Sequence, residues 1–333
     1  MAEPPETTPM EALESPTPSS SYSSSYLKSQ PIPSSTPSPL PSSMSRLWRP
    51  AAQRNLRNQW SKLASHRQQW ASSSSSGKSH ANSLVNAHLS QRYMPSLELG
   101  VLNDMPDIRK KACRKLCKQQ ERYRIKLLSS YKDMVAAVIQ MVNACRSMRC
   151  YQTGTSNSTL VQFSNSAGDQ NDTGDGGGVS VFVFLSISSH EKLAEELVQM
   201  FIMELNVKRL LVLELLSISC EVPQDIGLHW GDQLYQGEFD NLSTLNLFSE
   251  ETCEPVPPKL MDRKSDTPAV QCKNQPNPEV LQVYLTTWLA EVNINAHRID
   301  EIFSLIGRKC MSASHKLLFE EESLGLTCHF LIP

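Results

Sequence analysis

The chain has 333 residues, 39% hydrophobic and 20% charged, with a formal net charge of −2. No window approaches the roughly 18 consecutive apolar residues that a membrane-crossing helix needs, because the most apolar stretch, 207–218, is interrupted by Lys208, Arg209 and Glu214. The near-zero total hides a segregation: residues 15–126 carry +14 and residues 127–333 carry −12, the pattern of a basic arm joined to an acidic folded body.

In chain order, residues 1–45 contain ten prolines and fourteen serines with few large apolar side chains, so they cannot bury enough surface to offset the entropy of ordering. A disordered tail is expected there. The opening Met1-Ala-Glu-Pro-Pro-Glu lacks the basic and apolar regions of a secretory signal, so a nuclear or cytosolic location is expected, and the cations of 109–118, which resemble a nuclear-import patch, favour the nucleus. Nine cysteines, an odd set without an export signal, read as reduced thiols. Thr8, Ser15, Thr17, Thr36 and Ser38 each precede a proline and are candidate proline-directed phosphorylation sites, where a phosphate would add about −1.5 to −2 charge beside the basic arm.

Residues 46–103 form the second region, a basic arm expected to be largely disordered. Arg46, Arg49, Arg54, Arg57, Lys62 and Arg67 interleave with Trp48, Trp60 and Trp70, and no acid occurs between Ser15 and Leu97. Leu56, Trp60 and Leu63 permit a short helix, which Ser72–Ser76 is expected to interrupt. Tryptophan among cations suits stacked bases on a phosphate backbone, an acidic protein groove, or simple packing onto the body.

From residue 104 a mostly helical domain is expected to run to the end, with polar insertions at 151–178 and 221–276. The first long helix is placed at about 105–150, opened by Asp104 and Asp107 in its first turn. Leu127, Tyr131, Met134, Val138 and Met141, continued by Cys145 and Met148, alternate at four and three residues, the seam of a coiled-coil-like helix. Its first half carries Arg109, Lys110, Lys111, Arg114, Lys115, Lys118 and Arg122 against the single acid Glu121. A strand pattern covers 179–187. Ser188 with Glu191 reads as a capping box for a second helix at about 190–219. Pro278 opens a third helix, to about Ile306, whose seam includes Leu285, Trp288, Val292, Asn295 and Ile299. Asn295 on that seam suggests a buried amide fixing register with another helix. Alternation at 324–332 suggests a terminal strand able to pair with 179–187. The expected class is mainly α, with coiled-coil-like helices and a minor strand pair.

Chemistry-bearing motifs are sparse. Gly174–Gly178 resembles a phosphate-binding loop, but such a loop needs a Lys-Ser/Thr opening a helix, whereas a strand pattern without lysine follows. Cys113 and Cys117 stand four apart on one helix rather than in the Cys-x2-Cys turn that zinc prefers. His229 with Trp230 and Asp232 lacks an accompanying nucleophile or metal motif. No catalysis and no cofactor are therefore expected. The clustered cations point to nucleic-acid phosphate or an acidic partner, and the seams to other proteins. Together they give the expectation of a non-catalytic interaction subunit of a nuclear, chromosome- or transcription-associated complex. A nucleic-acid binder acting directly through 46–126 is the second expectation, an enzyme with an unrecognised site the third. No membrane contact is expected, and the oligomeric state is left open.

Overall fold

A computed structural model describes residues 42–153, 162–167, 172–182, 184–218, 228–261 and 276–310. The tail 1–41 with its five candidate phosphosites, and the alternating segment 324–332, lie outside the described residues. What is described is mainly helical: α1 (Ser42–Tyr93), α2 (Ile108–Arg146), α3 (Ile187–Leu216), α4 (Glu238–Thr244), α5 (Pro278–Ala290) and α6 (Ala296–Cys310). Two short antiparallel pairs complete it, β1 (Tyr151–Thr153) with β2 (Gln162–Ser164), and β3 (Phe248–Ser249) with β4 (Glu254–Pro255).

The basic arm departs most from expectation: most of 46–103 is α1, a helix of 52 residues packed into the core. Its main buried seam, Trp48, Ala52, Leu56, Trp60, Leu63, Trp70, Ser74, Gly77, Ala81, Leu84 and His88, runs mainly at intervals of three and four, with Gln59, Val85 and Ala87 buried beside it. The serine run does not interrupt this helix because Ser74 and Gly77 occupy its seam where another side chain comes close. A Cβ on Gly77 would lie 2.5 Å from Cζ2 of Trp288. The Trp288 indole donates to the Ser74 carbonyl at 3.0 Å. Small residues were a breaker signal in the sequence; here they make room for a ring.

Hydrogen bonds fix how the helices run. Asn55 on α1 donates to the carbonyls of Ser147, Met148 and Arg149 beyond the end of α2, while Gln120 near the start of α2 donates to Ala87 on α1. The two helices are therefore an antiparallel hairpin. Trp60 meets His190, and Trp70 meets Phe201, so α3 runs parallel to α1. The whole α2 seam, Leu127, Tyr131, Met134, Val138 and Met141, is fully buried in this three-helix core. That seam is satisfied within the chain and is not left for an outside helix.

The third expected helix is two. Glu291 takes a left-handed conformation (φ 46°) that ends α5, and the chain restarts at Asn295. Asn295 is exposed; its side chain accepts from the Arg298 amide, so it caps α6 instead of forming a buried register contact. The buried amide is Asn293, which accepts from the Met261 N–H and donates to the Lys259 carbonyl. Of the expected seam, Trp288 and Ile299 are buried and Leu285 is half-buried, while Val292 is 46% exposed. Both buried members again pack within the chain.

Smaller corrections share a local origin. Asp104 and Asp107 precede α2 instead of lying in its first turn, with Asp107 itself left-handed (φ 61°). The cap of α3 is Ser186, which accepts from the Ser189 amide, and Glu191 instead holds Arg149 at 2.7 Å. The described residues of 179–187 form no strand: Ser180 and Ser186 make an isolated bridge, the Val181 amide donates to the Leu185 carbonyl, and Val181 and Phe182 are buried.

Candidate nucleic-acid interface

The basic half of α2 is separated by geometry from the body of the bundle. α3, antiparallel to α2, reaches Arg124, which donates to the Ile218 carbonyl just past the end of α3. Toward its N-terminus α2 runs on for another sixteen residues against the last turns of α1. On an α-helix, with about 100° per residue, Lys110, Lys111, Arg114, Lys115, Lys118 and Arg122 fall within an arc of about 140° and along about 18 Å. The centre of that arc is roughly opposite Gln120 and Leu127, the buried residues facing the bundle. All six cations are exposed, and among the described residues none has an ion-pair partner.

Arg109 belongs to a different task. Half-buried, it donates to the carbonyls of Pro95 and Leu97, tying the connector between α1 and α2 to the helix that follows. Arg124, with its contacts to Ile218 and Glu121, is likewise a joint of the fold. The positive field of this end is felt inside the hairpin. Burial lowers the His88 imidazole pKa, and Arg92 and Arg124 lower it further; His80 is lowered by burial and by Lys126.

The tryptophans take no part in this surface. Trp48, Trp60 and Trp70 are at most 3% exposed, and their indoles donate to the Cys150 carbonyl, to His190 Nδ1 and to Glu291 respectively. Base stacking on these rings is closed off by the core they occupy. The rings are thus closed to contact, while exposed cations lie on α1 (Arg46, Arg54, Lys62 and Arg92) as well as along the outward face of α2, where they are most densely grouped.

The other candidates resolve into packing. Gly174 lies under the Tyr151 ring and Gly176 under the Trp48 ring, where a Cβ would collide with each, so the glycine run is a close-packed turn. Asp172 and Asp175 hold that turn by accepting from the amides of Gly174 and Gly177. Cys113 and Cys117 are half-buried free thiols, and among the described residues no group of three His, Cys, Asp or Glu side chains is placed to hold a metal. Burial pushes the Cys145 thiol up to about 12, helped by Glu195 and Glu191, and the Cys150 thiol up to about 11, helped by Asp172. Neither is an activated nucleophile. His229 is exposed, and the Asp232 carboxylate accepts from its backbone amide.

Two buried ionic clusters were not legible in the sequence. Arg209 and Glu238 are fully buried and pair at 2.9 Å; Arg209 also donates to the carbonyls of Trp230 and Asp232 beneath the Trp230 ring. Glu238 additionally accepts from Tyr131 Oη and the Leu234 amide, and burial raises the Tyr131 hydroxyl pKa well above its ordinary value. Lys208 and Glu204 form a second buried pair at 3.0 Å, Lys208 donating to the Trp288 carbonyl and Glu204 accepting from the Asn293 amide. Burial pushes Glu204 up and Lys208 down, each opposed by the other's charge. These clusters join α3 to the loops and to α5; their hydrogen bonds are made within the fold, as buried charges require. Four charged residues inside an apolar run, Glu204, Lys208, Arg209 and Glu214, were the available signal.

No helix among the described residues is long and apolar enough to cross a membrane. No protein-family model, curated protein or solved structure matches this chain.

Proposed function

We propose that the chain is a non-catalytic interaction subunit of a nuclear assembly, chromosome- or transcription-associated, and that it holds nucleic-acid phosphates along the outward face of α2. One observation carries this reading: six exposed lysines and arginines on a single helical face, directed away from the fold, none of them ion-paired among the described residues, with Glu121, held by Arg124, as the acid among them. Such a face attracts a phosphate backbone without regard to sequence. Along 110–122 it spares the core, since the buried and half-buried residues there lie on the other side.

The test is the salt dependence of binding to a fluorescent duplex. Replacing Arg114, Lys115, Lys118 and Arg122 together by Gln is expected to lower the log–log salt slope by about 3 to 4, if each cation displaces one counterion from a duplex phosphate. Thermal unfolding should stay near wild type, because all four side chains are exposed. Absence of binding to DNA and RNA at low salt overturns the proposal. A second reading, an acidic protein segment on the same face, is favoured by Ile125, 63% exposed one turn beyond Arg122. It would show as capture of an acidic amphipathic peptide with duplex binding absent.

A further inference from the structure

The connector between α1 and α2 exposes more apolar surface than a loop needs. Within nine residues, Leu97 is 51%, Val101 93%, Leu102 41% and Met105 51% exposed. The backbone does not leave them loose: Arg109 ties Pro95 and Leu97, and a 3-10 turn at Gly100–Leu102 is closed by an Asn103 amide to Gly100 carbonyl bond. An ordered apolar tip at the end of a hairpin is a contact surface. The charges around it say what it contacts. Glu98, Asp104 and Asp107 are exposed on the loop, and Lys110 and Lys111 are exposed on the first turn of α2 immediately after it.

The three acids make the tip a poor guest for phosphate or an anionic lipid surface, which would repel them. An anion-binding role stops at Lys110. A surface with an apolar centre, acids on one part and lysines on the adjoining part is complementary to itself across a two-fold axis: the acids of one copy meet the lysines of the other while the apolar side chains pack between. We infer that the connector tip is a self-association surface, occupied by the tip of a second copy of this chain. The patch is a single short loop, smaller than the about 800 Å² per partner of a standard stable interface, so the pairing is reversible and depends on concentration. The inference rests on the loop together with Lys110 and Lys111 of α2, and does not need the nucleic-acid reading.

The experiment is sedimentation velocity of the nuclease-treated full chain over a range of concentrations. The wild type is expected to move from one chain to two as concentration rises. V101D/L102D is expected to remain a single chain throughout, with an unchanged thermal melt, since neither side chain supports the core. Two charge variants supply the decisive arm: E98K/D104K/D107K and K110E/K111E should each lose self-association, and an equimolar mixture of the two should recover it as a heterodimer. A wild type that stays a single chain overturns the inference, as does a V101D/L102D dimer or a mixture that fails to associate. Because nucleic acid is removed, the outcome is separate from that of the salt-slope test.

Discussion

His190 shows what a single residue contributes when a fold closes around it. The ring is fully buried between Trp60 and Phe182, and its Nδ1 accepts the Trp60 indole hydrogen at 3.1 Å. Burial lowers its pKa to about 4 from the ordinary 6.5. The unfolded chain therefore binds the proton more tightly, so stability is fully present above pH 6.5 and is lost as pH falls toward 4. The effect is bounded at about 3 kcal/mol by the size of the shift. His190→Gln keeps an acceptor for Trp60 and removes the titration. Urea unfolding between pH 6.5 and 4 should show a shallower loss of stability for the variant than for the wild type; equal slopes would remove His190 from the account. The sequence placed His190 in the first turn of a helix, and it is there. That the ring would be neutral and buried was not readable, because its two aromatic neighbours come from α1 and from the turn before α3.

At the scale of elements, the junction of α1 with α5 decides whether 42–93 is a helix in the core or an unstructured arm. Trp288 fills the space left by Gly77 and takes the Lys208 ammonium over its ring at 5.0 Å. In an exposed helix, Gly→Ala would stabilise by about 1 kcal/mol. At Gly77 the added methyl meets the indole, and overpacking of this kind costs about 1–3 kcal/mol, so Gly77→Ala should be destabilising. Trp288→Ala should cost about 3–5 kcal/mol. In that background Gly77→Ala should become neutral or stabilising. A double-mutant cycle by chemical denaturation reads the change of sign, and additive effects would count against the junction. This element pairing is also where sequence reading failed for a physical reason. A run of serines ending in glycine has poor helix propensity, and its compensation lies more than two hundred residues away. The second and third helices were legible because their own apolar periodicity carries them; the break at Glu291 was not, since 3-4 spacing continues across it.

For the molecule as a whole, the arm is not an appendage. Trp48, Leu56, Trp60, Leu63, Trp70 and Leu84 belong to the same apolar core as Leu127, Met134, Phe201 and Ile302. A chain lacking residues 1–104 should lose its cooperative thermal transition by circular dichroism. Retention of a sharp transition would show that the core does not need α1. Loss of activity in such a truncation would therefore report unfolding and not a missing contact site. The α2 and α5–α6 seams have the same moral: periodic apolar faces show that a helix packs, and this fold packs its buried seam members against its own helices. Among what remains outward are the cations along α2 and the apolar connector tip.

By itself the sequence determined that the protein is mainly helical, that long helices lie near 105–150 and 190–219, and that positive charge gathers in the first half of the earlier one. Local periodicity and composition suffice for those, because each residue's contribution is fixed by neighbours three or four positions away. Tertiary structure decided which cations are outward and unpaired, that three tryptophans in a basic segment are core residues, and that the seams pack against other helices of the same chain. Those outcomes depend on distant side chains competing for the same buried volume: Asn55 with the turn after α2, Trp288 with Gly77, Arg209 with Glu238. Pairings of that kind leave no period in the sequence.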